Sequence, residues 1–305
     1  EDAAQVEKLI GQRANLPNVA KLITLTDGAG ENGWVISVAE LERLGQDHAA
    51  KNPAEFLDVI GRIQPDWLAT LIYTSGTTGK PKGVELLHDC WVYTGEAMDA
   101  LGVLRPDDKQ YLWLPLSHSF GKVLEVSLLM IGIPTAIDGR IPKLVDNLSV
   151  VKPTFMAAAP RIFVKVYNTV VSGAKAGGGL KHAIFRWSVG VGRQVSQLRQ
   201  QGKEPSGFMA LKNSIADRLV FSKLKNRFGG NIRFFISGSG PLSREMAEFF
   251  HAFGLQILEG YGLTESSAAS FVNLPYSYRF GTVGLPLPGT DAIIAQEDGE
   301  ILIKS

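Results

Sequence analysis

Apolar runs alternate with amphipathic stretches along most of this chain, and the alternation predicts its elements. "WLATLIYTS" is a continuous apolar run of buried-strand type. Beyond a glycine-rich loop and the short "VELL", Trp91, Ala97, Met98 and Leu101 fall on helical spacing from His88 to Leu101, with Gly102 placed to end the helix. "QYLWLPL" predicts a strand, Lys122 to Ile131 a helix, and "IPTAI" a strand. A helix from Lys143, the strand "TFMAAA" and a helix opened by Pro160 follow. "IRFFISG", a Pro241-led helix and "LQILEGYG" repeat the unit. Repeated βα units imply an α/β fold, with layered, mostly parallel sheets and helices on both faces.

The tail changes style. "DAIIAQEDGEILIKS" has two β-rich arms around Asp298-Gly299, a hairpin signal. The expected division is an α/β core over 1–279 and the start of a β-rich subdomain over 280–305. "GAKAGGG", from Gly173 to Gly179, is the candidate flexible loop.

Bulk composition adds limits. The 305 residues are 45% hydrophobic and 20% charged, which argues against wholesale disorder. The single cysteine, Cys90, excludes an intrachain disulfide and reads as a core residue. The amino terminus has no signal-type apolar core, and the longest apolar stretch, Val126 to Ile137, is too short to span a bilayer. A cytoplasmic protein is expected. Net charge is only +1, yet 14 Lys/Arg face two acids between Arg161 and Arg233. That block fits a solvated helical surface or a dock for anionic lipid head groups, at the inner face of a membrane, or for the phosphates of coenzyme A. Phe185, Trp187 and Phe208 are placed to add interfacial contact. No nucleic-acid recognition motif accompanies it.

Three polar loops close predicted strands. "YTSGTTGKPKG", Tyr73 to Gly83, offers backbone N–H groups and the hydroxyls of Thr74, Ser75, Thr77 and Thr78 around Gly76 and Gly79, with Lys80 as a point charge. It is not the P-loop NTPase pattern, because two residues separate the glycines and Pro81 follows the lysine. "EGYGLTES" carries Tyr261 as a flat face for a base, Thr264 as a phosphate hydroxyl and Glu265 as a hard ligand for Mg²⁺. It also fits a strand-end turn with Tyr261 in the core. "SGSGPL", Ser237 to Leu242, suits a planar ligand lying on backbone, or a turn set by Pro241. Polar loops at strand carboxyl ends are where doubly wound sheets bind ligands.

These loops, with "LPLSHSFGKV" and "GTVGLPLPG", stand in the order that resembles acyl-adenylate-forming enzymes. "KPTFMAAAPRIFVKVYN" and "GTVGLPLPG" look most like the long-chain fatty-acid–CoA ligase branch. The resemblance spans Asp66 to Ser305, and the first 65 residues fit it loosely. It implies that a fatty acid attacks ATP to give acyl-AMP and pyrophosphate, and that the coenzyme A thiol then displaces AMP. An ionised carboxylate needs no general base, so catalysis rests on positioning and charge neutralisation.

By the same resemblance, Thr74 to Lys80 embrace the β- and γ-phosphates, and Thr74 with Glu265 holds Mg²⁺. Gly238, Ser239 and Gly240, with Glu259, Gly260, Tyr261 and Gly262, form the adenine side. Thr264 meets the α-phosphate, and His118 positions the acyl carboxylate. The implied catalytic set is Lys80, His118, Thr264 and Glu265. Departures stand at Gly240, where relatives carry alanine, and at Gly121 and Lys122, where relatives carry an acid and an arginine. Relatives also continue to a ribose-binding aspartate, a hinge and a small domain with a catalytic lysine. None of these is in this sequence, so the 305-residue chain is expected to be a fragment that binds nucleotide weakly without turnover. Adenylation of another carboxylate, transfer to a carrier-protein thiol, and a non-catalytic nucleotide-binding role are the alternatives.

Overall fold

The computed structural model describes residues 3–25, 30–74 and 79–304. The chain divides into two compact units, Glu1–Gln64 and Pro65–Ser305. In the first, α1 (Ala3–Ile10), α2 (Val38–Lys51) and α3 (Glu55–Arg62) accompany two parallel strands, β1 (Leu22–Thr24) and β2 (Val35–Ser37). Its small core is Trp34, Val35 and Ile36, and the Trp34 indole N–H donates to the Val19 carbonyl at 2.9 Å. The Ser37 hydroxyl caps α2 by accepting the Glu40 N–H.

The second unit opens with an antiparallel pair, β3 (Leu68–Thr74) and β4 (Lys82–Leu87), and then α4 (His88–Ala100). There follow β5 (Gln110–Leu112), α5 (Ser119–Ile131), β6 (Thr135–Ile137), α6 (Leu144–Val151) and β7 (Phe155–Ala158). Four helices come next: α7 (Pro160–Ala176), α8 (Gly179–Gln200), α9 (Gly207–Ala216) and α10 (Ser222–Arg227). The chain returns to the sheet through β8 (Phe234–Ser237), α11 (Arg244–Ala252) and β9 (Gln256–Tyr261). It ends with the short strands β10 (Phe271–Val272) and β11 (Leu285–Pro286) and a separate hairpin, β12 (Asp291–Ile294) and β13 (Ile301–Lys304).

Seven strands form the main sheet in the order β11-β10-β9-β8-β7-β5-β6. Pairings from β6 through β9 are parallel, and those of β10 with β9 and β11 are antiparallel. Antiparallel pairing thus begins at Phe271, ahead of the change of style near Phe280. Because strand side chains alternate between faces, β7 sends Phe155 and Ala157 one way and Met156 and Ala158 the other. The first set joins Phe234, Ile236, Leu258 and the α4–α5 pair; the second joins Phe235, Ile257 and helices α6 to α11. Helices therefore cover both faces, as the βα alternation predicts.

Four local expectations are corrected. "WLATLIY" forms a strand, but not a doubly buried one: β3 pairs only with β4, so Ile72 reaches the core while Leu71 and Tyr73 stay 50% and 70% exposed. The helix expected from Lys122 starts at Ser119, because the His118 ring accepts the Phe120 N–H and caps it. The helix expected to open at Pro241 starts at Arg244, where the Ser243 hydroxyl accepts the Met246 N–H. Most of Gly173–Gly179 is helical; the break between α7 and α8 is Gly177 and Gly178, the latter at φ +89°.

Within the basic block, Arg199 pairs with Glu204, Lys225 with Asp217 and Arg233 with the buried Asp108. Among the described residues no helix is long and apolar enough to cross a membrane.

One buried titratable group gives the fold a pH signature. His251 lies between Ser196, whose hydroxyl meets Nδ1 at 2.8 Å, and Tyr278, whose hydroxyl meets Nε2 at 3.2 Å. Phe280 stands edge-on to the ring. Burial, helped by the nearby Arg199 charge, pushes the imidazole down to about 4. Between its ordinary value and 4 the unfolded chain binds the proton more tightly, so stability is full above about 6.5 and falls as pH drops to 4. The loss from this group is roughly 3 kcal/mol. Urea melts from pH 7 to 4 should show the slope, and His251→Gln should flatten it.

Candidate functional site

A cavity of 520 Å³ opens at the carboxyl ends of β8 and β9. Its polar lining comes from four separate places in the sequence. The β3–β4 hairpin contributes Thr74 and Lys82, which stand directly opposite each other in the antiparallel register. The start of α5 contributes His118, Ser119 and Phe120; the end of β8 contributes Ile236 to Ser239; the end of β9 contributes Gly260 to Glu265. Polar groups therefore gather on one part of the wall. Met98, Val123, Leu124 and Ile236 make another part apolar, on the side of the sheet covered by α4 and α5.

Several side chains are held by local chemistry. His118 Nδ1 accepts the Phe120 N–H at 3.1 Å, so in the neutral ring the proton sits on Nε2. Ser119, buried at the first turn of α5, shares a 3.3 Å hydrogen bond with the Thr264 hydroxyl. The bond ties the α5 start to the β9 loop. The Ser237 hydroxyl, buried at the end of β8, has no hydrogen-bond partner among the described residues. Such a group costs about 1–3 kcal/mol unless something satisfies it. Ser239 adopts φ +64°, turning the chain sharply past the cavity.

Close backbone approaches shape the loops. A Cβ on Gly262 would stand 1.7 Å from the Ala268 carbonyl oxygen, so only glycine lets the β9 loop fold back on itself. Gly121 is equally constrained, by the Pro115 carbonyl oxygen at 2.1 Å. No side chain, an acid included, fits at that position. Lys122, beside it, pairs with Glu125 at 2.7 Å.

The cavity brings together Thr74, His118, Gly238, Ser239, Gly260, Tyr261, Gly262, Thr264 and Glu265 from the sequence-derived set. Ser75, Gly76, Thr77 and Thr78 lie outside the described residues. Gly79, Lys80, Gly240 and Glu259 are not on its wall. Gly79 and Lys80 are exposed at the foot of the hairpin. Glu259 is buried, and its carboxylate accepts the Leu242 N–H at 2.8 Å, fastening the "SGSGPL" loop to β9. Burial pushes that carboxyl above its usual range, and the Leu242 hydrogen bond partly opposes this.

Ser119, Phe120 and Lys82 line the cavity without having been singled out as site residues. Lys82 was findable: a hairpin closing at residues 75–81 faces it toward Thr74. Among the described residues no three His, Cys, Asp or Glu cluster as a metal site. The hard oxygens of Thr74 and Glu265 suit Mg²⁺, which is commonly held by one or two protein oxygens and substrate phosphates.

Comparison with known proteins accords with this geometry. The model of the family described as "AMP-binding enzyme" matches residues 3–305, farther toward the amino terminus than the Asp66 limit of the motifs. A long-chain-fatty-acid–CoA ligase, FadD15, of Mycobacterium bovis is 33% identical over 304 residues, covering 99% of this chain and 48% of its own length. Fatty acyl-CoA synthetase A of Dictyostelium discoideum is 34% identical over 261 residues, covering 84% and 36%. The chain thus spans about half or less of the length of these curated relatives. Among solved structures, o-succinylbenzoate CoA synthetase of Bacillus subtilis shares the fold with TM-score 0.54 and 20% identity, over 79% of this chain and 41% of its own. The N-terminal domain of FACL13 from Mycobacterium tuberculosis does so with TM-score 0.52 and 18% identity, over 79% and 48%.

Gly262→Ala forces a backbone clash with Ala268. It should cost about 3 kcal/mol in chemical denaturation and reduce AMP affinity in calorimetry. Gly45→Ala, which meets nothing within 4 Å, should do neither.

Proposed function

The chain belongs to the AMP-binding enzyme family, and on that premise we propose that its cavity serves the ATP-dependent activation of a long-chain fatty acid to its acyl-CoA. The observation that carries the reading is the two-part wall. The hydroxyls of Thr74 and Thr264, Lys82 and Glu265 suit a nucleotide, and the apolar patch of Met98, Val123, Leu124 and Ile236 suits an alkyl chain.

In the proposed reaction an oxygen of the ionised carboxylate attacks the α-phosphorus, and the bond to the β-phosphate bridging oxygen breaks. Pyrophosphate leaves with that electron pair. The thiol of coenzyme A then attacks the acyl carbonyl and releases AMP. His118 offers Nε2–H as a donor that orients the carboxylate without proton transfer. Thr264, fixed by Ser119, steadies the α-phosphate, and Tyr261 with Gly238 and Ser239 flanks the base. Glu259 and Gly240 act through the loop they belong to, and Ser75 to Lys80 grip the departing phosphates. Thr74 and Glu265 would hold Mg²⁺, which would supply charge neutralisation at the phosphates.

The chain spans about half of its relatives' length, and the complete reaction is assigned to the longer protein. The 305-residue chain alone should bind AMP yet give no acyl-AMP, and measurable acyl-AMP from it would defeat this point. With the longer protein, ATP–pyrophosphate exchange should rise along a series of straight-chain acids. Glu265→Gln should lower the exchange about 100-fold. Ser119→Ala should change it less, raising KM more than it lowers kcat. Exchange with aryl or amino acids alone would move the substrate class, activity only with a carrier-protein thiol would change the acceptor, and AMP binding without exchange would indicate a non-catalytic nucleotide binder.

A further inference from the structure

On the opposite face of the seven-stranded sheet, a second cavity of 390 Å³ opens among α7, α8 and the segment running into α10. Its walls are apolar: Val170, Ile184, Phe185, Leu219, Leu224 and Phe253. A smaller cavity of 170 Å³ adjoins it beneath α6, and Thr169, Val170, Leu224 and Arg227 line both. Neither shares a residue with the nucleotide cavity.

Every charged residue on these two walls is basic. Lys181, Lys223 and Arg227 line the larger cavity; Lys165 and Arg227 line the smaller. The ion pairs of this basic stretch use Arg199, Lys225 and Arg233 instead. Lys165, Lys181, Lys223 and Arg227 therefore have no carboxylate partner among the described residues. Lys223 and Arg227 are four apart on α10, so they project from the same side of the helix. Exposed cations without a carboxylate partner beside apolar walls suit an anion that brings its own hydrocarbon. The segment Asp217–Phe221, which supplies Leu219 and Val220, is a π-helical turn. Turns of this kind are rare and concentrate at functional positions.

We propose that the two adjoining cavities form a site for a single-chain anionic amphiphile, distinct from the nucleotide cavity. The alkyl chain lies among Val170, Phe185 and Leu224, and the head group meets Lys181, Lys223 and Arg227. A concave site of this size takes one chain, whereas a bilayer surface would meet the outward residues, such as Phe208 at 70% exposure. The proposal is independent of the adenylation reading.

Calorimetric titration of the full chain with octyl, decyl and dodecyl phosphate, below their micellar concentrations and with the nucleotide cavity saturated by AMP, tests it. Binding should be saturable and should tighten about fourfold per added methylene until the cavity is full. Dodecyl maltoside, with the same chain and no charge, should bind at least about tenfold more weakly, for want of the ion pairs. Lys223→Gln/Arg227→Gln should weaken dodecyl phosphate by a similar factor and leave AMP affinity unchanged. Val170→Trp, which fills the cavity, should remove the chain-length dependence, with thermal melts verifying that each variant folds. The proposal is overturned by absence of saturable binding, by equal affinity for the neutral amphiphile, or by folded variants that bind as the parent does. Binding to phosphatidylglycerol vesicles alone, with none to the monomeric alkyl phosphates, also overturns it.

Discussion

The second unit depends on a sheet whose central strands are buried on both sides. β7 and β8 have no exposed residue, and each sends alternate side chains into two different cores. Phe155 stacks near Phe234 on one face, while Phe235 meets Phe163 and Phe228 edge-on on the other. With no side chain free to face water, the strands' only open ends are at their termini. Chemistry is pushed to those ends, and Ser237 to Ser239 and Gly260 to Glu265 are found there.

That arrangement divides labour between the faces. The α4–α5 side meets the 520 Å³ cavity and gives it an apolar part of its wall. The side of α6 to α11 holds most of the aromatic side chains, and with them the two basic-rimmed cavities. The sheet itself separates them. A ligand on one side cannot touch a ligand on the other across the sheet.

Much of this was legible in the chain, because periodicity reports burial. The strand runs around Met156, Phe235 and Ile257 were read correctly since continuous apolarity is what a doubly covered parallel strand needs. The same rule failed for "WLATLIY", since an apolar run does not say how many neighbours a strand will have. Polar letters in glycine-rich loops, Thr74, Tyr261, Thr264 and Glu265 among them, do line one cavity. Ser119 was missed because its significance lies in a partner 145 residues away. Glu259 is a polar letter whose carboxylate accepts the Leu242 N–H, a contact 17 residues back that local sequence does not signal. The exclusion of side chains at Gly121 and Gly262 likewise comes from backbone segments that local sequence does not place.

The bond between Ser119 and Thr264 has a bearing on how the molecule comes into being. It closes a loop of 145 residues, and the Tyr93 hydroxyl reaches Thr290 across 197. Contacts so remote in sequence are late and slow to form, because chain entropy is lost before they repay it. During synthesis, α4 and α5 can pair as soon as they emerge, yet the cavity wall is incomplete until β9 and its loop have left the ribosome. The end of the sheet that carries this cavity is therefore completed only after β9 has emerged, against helices formed earlier.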